Sequence, residues 1–162
     1  MDYIMKALLQ LTNKIAKFFK LSWQEKVLLI DGFFLSGIFR FVILFLPFNN
    51  LVEFVGKYKE ESSEEISDIN KVTINKIGWA VAVVSRITPW ESKCFVQALT
   101  AQRMLKKRKI DSTLYLGVAK NKQKKLLAHA WLRSGKIIVT GGLGCNSFTE
   151  VMKFSSKVRG RK

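Results

Sequence analysis

Apolar positions along the chain follow two periods, a helical one up to about residue 109 and an alternating one after it. Ile4, Leu8, Leu11, Ile15 and Phe18 recur at spacings of four and three, which is one face of a helix over residues 4–19. Ser22-Trp23-Gln24-Glu25 is a capping box and predicts a helix running through Phe34 or beyond. Pro47 closes that region, and a short helix is expected over 50–55. Ile77, Ala80, Val81 and Val84 return the helical pattern over 72–87. Thr88-Pro89-Trp90-Glu91 reads as another helix start, and Phe95, Ala98, Leu99, Met104 and Leu105 carry that helix towards Lys109. Then come three strand-like runs, 113–119, 126–133 and 136–140. The turns 121–125 and Ser134-Gly135 separate them, so hairpin logic makes them an antiparallel meander.

The segments between are read by composition. Residues 57–70 hold Glu60, Glu61, Glu64, Glu65 and Asp68 and form the best linker candidate, a solvated connector or a strip lying against basic surface. Gly141-Gly142-Leu143-Gly144 is a loop; no Lys-Ser/Thr follows on a helix, so it is not a phosphate cradle. The chain from Lys153 is expected to be a loose basic tail. The predicted organisation is α+β: a helical N-terminal region with an acidic linker (1–70), a core of helix on sheet (71–154) and a basic tail (155–162).

Composition supports a folded core, with 48% apolar residues and 12% aromatics in 162 residues. The net charge of +16 is unevenly placed: from Arg86 onward there are 18 Lys/Arg against three acids. Such a field attracts an acidic peptide, a nucleic acid or an anionic lipid surface, unless it is simply a solvated face. Nucleic acid is disfavoured, because Lys106-Lys107-Arg108-Lys109 and the lysines of 120–125 come without an aromatic stacking motif. Residues 27–48 are the most apolar stretch. Asp31 and Arg40 cut it into pieces shorter than the ~18 residues of a spanning helix, so a buried helical hairpin is expected, with a stretch lying on a membrane as the alternative. Lys6, Lys14, Lys17 and Lys20 run through the first twenty residues, unlike a secretory signal, and leave peripheral membrane contact open. Two cysteines are too few for a disulfide framework, which favours the cytoplasm.

Chemistry concentrates on Cys94, at the start of a helix-patterned run, and on His129, the chain's one histidine, in a strand-patterned run. A thiol and an imidazole held by rigid elements are the parts of a cysteine nucleophile with its base. The start of a helix favours a sulfur anion, but two starts are open. A cap at Thr88 puts Cys94 in the second turn; a start at Ser92 puts it in the first. Cys94, His129 and Cys145 lack the paired spacing of a zinc site, so neither metal nor cofactor is expected. Ala128 and Ala130 leave room beside His129, and Trp131 shares its face. Trp90 and Trp131 are the candidate substrate-contacting aromatics.

The motifs match one family. Pro-Trp-x-x-x-Cys at 89–94, Arg-Met-Leu-Lys-Lys-Arg-Lys-Ile at 103–110, Ser-Thr-Leu-Tyr-Leu-Gly-Val at 112–118 and Ala-His-Ala-Trp-Leu at 128–132 resemble the transglutaminase-like cysteine proteases of lasso-peptide biosynthesis. Leu-Ser-x-x-Glu at 21–25 and Leu-Pro-Phe at 46–48 resemble their helical N-terminal part. The resemblance implies a papain/transglutaminase-like core and a leader peptidase, with Cys94 as nucleophile and His129 as base. It also implies a precursor peptide as substrate, a separate leader-recognition protein and an ATP-using lasso cyclase acting next. The family's third catalytic group is commonly an Asp after the following strand, where this chain reads Val139-Thr140-Gly141-Gly142. Thr140 Oγ or a backbone carbonyl near Gly141 is left to orient the imidazole. Two other readings stay open: acyl transfer to an amine on the same fold, and a non-enzymatic basic adaptor.

Overall fold

The computed structural model describes residues 18–47, 50, 51 and 55–157. The helix expected over 4–19 lies almost wholly outside them, as do parts of 50–55 and of the basic tail. Helix α1 (Trp23–Phe45) opens on the expected capping box: Ser22 Oγ accepts the Glu25 amide at 3.3 Å and Glu25 Oε2 accepts the Ser22 amide at 2.9 Å. It then runs unbroken for 23 residues, so the hairpin expected over 27–48 is not formed. The charges meant to interrupt it point at the protein body and are paired. Asp31 meets Lys107 at 2.5 Å and Arg108 at 3.9 Å, and Arg40 meets Glu91 at 3.1 Å. The helix stops at Leu46, where Pro47 disfavours a further helical residue.

Strand β1 (Lys57–Tyr58) follows, then α2 (Asp68–Val84), capped by the Ser67 hydroxyl, and α3 (Cys94–Lys107). The sheet is completed by β2 (Ser112–Lys120), β3 (Leu126–Ser134), β4 (Ile137–Thr140) and β5 (Thr149–Ser156), with a 3-10 turn at Cys145–Ser147 before β5. All pairings are antiparallel and the order is β1-β5-β2-β3-β4. Helices α2 and α3 cover one sheet face, and α1 packs on those two helices. Their apolar stripes meet alternate strand residues in one core, with Ile77, Met104, Leu105, Leu114, Leu132 and Phe154 fully buried.

The meander β2–β3–β4 is the one expected, but the sheet is larger. The stretch read as the start of a loose tail is β5, an inner strand between β1 and β2. Phe154, Ser155 and Ser156 are buried, and the Lys153 charge is met by Glu61 at 2.7 Å and Glu150 at 3.3 Å. The acidic segment is likewise docked, not a free connector. The Ser62 amide donates to Thr113 Oγ1 at 2.8 Å, Arg133 binds Glu61 at 3.1 Å, and Lys157 binds Glu60 at 2.9 Å. Ile66 lies over Gly135, where any Cβ would come within 2.6 Å of its side chain.

Candidate active site

The loop entering α3 is tied to α1. Thr88-Pro89-Trp90 is a bend, not the helix start its composition suggests, and Thr88 Oγ1 donates to the Trp90 carbonyl at 3.3 Å. The Trp90 ring sits 4.9 Å from that of Phe33 and against Gly37, and its N–H donates to Ser36 Oγ at 3.2 Å. Glu91 bridges Arg40 and Lys93. Its carboxyl is held below the ordinary range chiefly by the hydrogen bond from Lys93, with the charges of Lys93 and Arg40 adding to it. Thus fixed, the chain stays extended to Lys93 and the helix begins at Cys94. Of the two starts left open by sequence, the structure has the thiol in the first turn. Lys93 gives no side-chain cap, and no acid lies in that turn.

His129 lies on β3 opposite Gly117 of β2. Its Nε2 is 2.8 Å from the Gly141 carbonyl oxygen. A carbonyl can only accept, so Nε2 carries the proton of the neutral ring and Nδ1 keeps its lone pair. Gly141 takes φ +72°, and a Cβ there would lie 2.3 Å from the Ala130 carbonyl oxygen. Glycine therefore permits the close return that brings its carbonyl to the imidazole. The ring is flanked by Phe148 at 4.9 Å and Trp131 at 6.1 Å. Trp131 stacks in turn on Tyr115 at 5.4 Å, whose hydroxyl accepts from Arg133 Nε at 2.9 Å. A Cβ at Gly117 would meet the Trp131 ring at 2.8 Å, so that glycine makes room for the stack.

Cys94 and His129 are both among the lining residues of one apolar groove of about 490 Å³, between the end of α1, the start of α3 and strands β2, β3 and β5. The His129 ring lies with Trp131 on the sheet face opposite Ala130 and Leu132, which meet the helices. Ile43 and Leu46 form the α1 wall, and the small Ala128 and Ala130 flank His129 as expected. Among the described residues no hydrogen bond joins the thiol to the imidazole. Such bonds often tighten only when substrate is seated. Thr140 is buried with an unpartnered hydroxyl, so of the two sequence candidates for a third group it is the Gly141 backbone that reaches the ring. Trp90 and Trp131 do not line the groove: one anchors the Cys94 loop and the other supports His129. Cys145 lies on the 3-10 turn, where its thiol donates to Asn146 Oδ1 at 3.6 Å. The described residues hold no cluster of three or more His, Cys, Asp or Glu suited to a metal ion. Sequence reasoning missed Phe148, which lies in no quoted motif, and gave no role to Tyr115, although it lies in the 112–118 run.

The family model for the transglutaminase-like superfamily matches residues 43–153, from the last turn of α1 into β5, including both Cys94 and His129. Neither the curated proteins nor the solved structures give a match. With more than half its length covered, from the groove wall to the inner strand, the chain belongs to the transglutaminase-like superfamily.

Proposed function

We propose that this chain is a cysteine peptidase that removes the leader from a lasso-peptide precursor. The fold is compatible with either a cysteine peptidase or an acyl transferase. What supports the reading is a thiol in the first turn of α3 and, among the lining residues of the same groove, a histidine whose Nε2 contacts a backbone carbonyl. The motif resemblance over most of the chain supplies the substrate class.

In this mechanism Cys94 gives its proton to His129 Nδ1 as the sulfur attacks the carbonyl carbon joining leader to core. The amide of Cys94, at a helix start with no side-chain cap, faces the developing oxyanion. The C–N bond breaks as the imidazolium passes its proton to the leaving amine, which frees the core N-terminus. Water, deprotonated by His129, then hydrolyses the thioester and releases the leader carboxylate. The Gly141 carbonyl holds the imidazole and stabilises its charged form by accepting from Nε2. Phe148 and Trp131 are positioning residues that act through the ring. A separate recognition protein delivers the leader and a cyclase closes the freed core amine on an acidic side chain, both in the cytoplasm.

Incubation of the protein with precursor and recognition partner tests this, with mass spectrometry of the products. A free leader carboxylate is expected, lost in Cys94→Ala and in His129→Ala. An amide product would identify acyl transfer, and cleavage undiminished in Cys94→Ala would remove the thiol from the mechanism.

A further inference from the structure

Neither the core nor the groove uses the outward face of α1. Trp23, Ile30, Phe34, Ile38, Phe41 and Phe45 stack along it at helical spacing and are 77%, 49%, 64%, 55%, 63% and 66% exposed. At 1.5 Å per residue the stripe is about 33 Å long. Every charge on α1 lies off it. Glu25 is tied into the cap, Asp31 faces Lys107, Arg40 faces Glu91, and Lys26 lies by the Phe18 and Phe19 rings at 5.9 and 6.0 Å. A continuous apolar surface of this extent marks an interaction site.

We propose that α1 lies flat on an anionic lipid bilayer, its aromatic stripe immersed at the headgroup–acyl boundary. Charge selects this occupant. The chain carries +16, so a second copy would bring like fields together, whereas acidic headgroups complement them. Large aromatics on one side and a lysine at its margin, its ammonium over the Phe18 and Phe19 rings, suit a helix in the interface plane. Length and composition alone would let α1 cross a membrane. Its inner side excludes that: Leu28, Leu29, Leu35 and Ser36 are buried on α2 and α3, and spanning would strip Asp31 and Arg40 of their partners. The C-terminal end of α1 also supplies Ile43 and Leu46 to the Cys94 groove, so the attached face adjoins the site.

Flotation of the purified full chain with phosphatidylcholine vesicles, with and without a minority of phosphatidylserine, tests the proposal. The protein should float with the anionic vesicles and weaken as salt is raised. The double variant Phe34→Gln, Phe41→Gln should lower the partition constant about tenfold or more. Cys94→Ala should float as the wild type does, which separates this inference from the peptidase reading. Brominated lipid should quench tryptophan emission, and Trp23→Phe should diminish that quenching without loss of binding. The Trp23 comparison decides the matter even if the double variant misfolds. Absence of flotation, equal flotation of a folded double variant, quenching indifferent to Trp23, or a stripe-dependent dimer without flotation would each overturn it.

Discussion

Replacing Gly141 by alanine probes the contact on which the proposed imidazole geometry depends. At φ +72° an alanine costs about 1–2 kcal/mol from its Cβ alone. That Cβ would also sit 2.3 Å from the Ala130 carbonyl oxygen, a backbone atom that β3 holds in place between β2 and β4. Relief to ordinary contact needs a shift of about 1 Å, enough to stretch the Nε2 contact beyond hydrogen-bond range. Losing that bond adds about 1 kcal/mol, so the variant should be about 2–4 kcal/mol less stable in urea unfolding. With one histidine in the chain, ¹⁵N-histidine NMR reports on that ring alone. The wild type should show the neutral ring protonated on Nε2, and the variant a mixture of tautomers. Cleavage, measured well below the variant's melting midpoint, should fall at least tenfold in kcat, as expected when a base loses its orienting group. A wild-type ring protonated on Nδ1, or a variant with unchanged tautomer and rate, would refute the reasoning.

Trp90→Phe should keep the contact with Phe33 but lose the bond to Ser36 Oγ, costing about 1 kcal/mol in urea unfolding, while Trp90→Ala should cost at least about 2 kcal/mol. Equal stability of all three proteins would mean that the loop is not anchored there. Phe154→Ala should cost about 3–5 kcal/mol because β5 is an inner strand and the ring is fully buried; a cost typical of an exposed tail would contradict the sheet order. Glu61 is held below the ordinary carboxylate range, first by the hydrogen bond from Lys153 and then by the charges of Lys153 and Arg133, with burial opposing them. A depressed folded value adds stability above the unfolded value of about 4.3, and that stability is lost as pH falls through the folded value. Between roughly pH 5 and pH 3 the wild type should therefore lose stability more steeply than Glu61→Gln; parallel curves from denaturant titrations would count against the clamp.

What could be read from sequence depended on whether a residue's partner was near it in the chain. Ser22 and Glu25 carry their bond within four residues, so the start of α1 was legible, as were the alternating strands of β2–β3–β4. Asp31 and Arg40 misled because their partners, Lys107 and Glu91, are far along the chain, and a charge looks like an interruption until its counter-ion is placed. Residues 57–70 and β5 misled for the same reason. Each looks charged and solvated alone, yet Glu61 pairs with Lys153, and Lys153 lies on a strand that pairs with both β1 and β2. The start of α3 was ambiguous because Thr88-Pro89-Trp90-Glu91 has the composition of a cap, while Trp90 and Glu91 are held by α1 and postpone the helix to Cys94. Cys94 and His129 stood out by chemistry, while the imidazole's partner was narrowed only to Thr140 Oγ or a backbone carbonyl near Gly141, since a backbone carbonyl has no letter in the sequence. Its trace was the Gly141-Gly142 pair in place of a side chain after β4. A missing side chain there marks a place where the main chain itself can approach the ring, and the substitution that tests the site is the one that restores a Cβ.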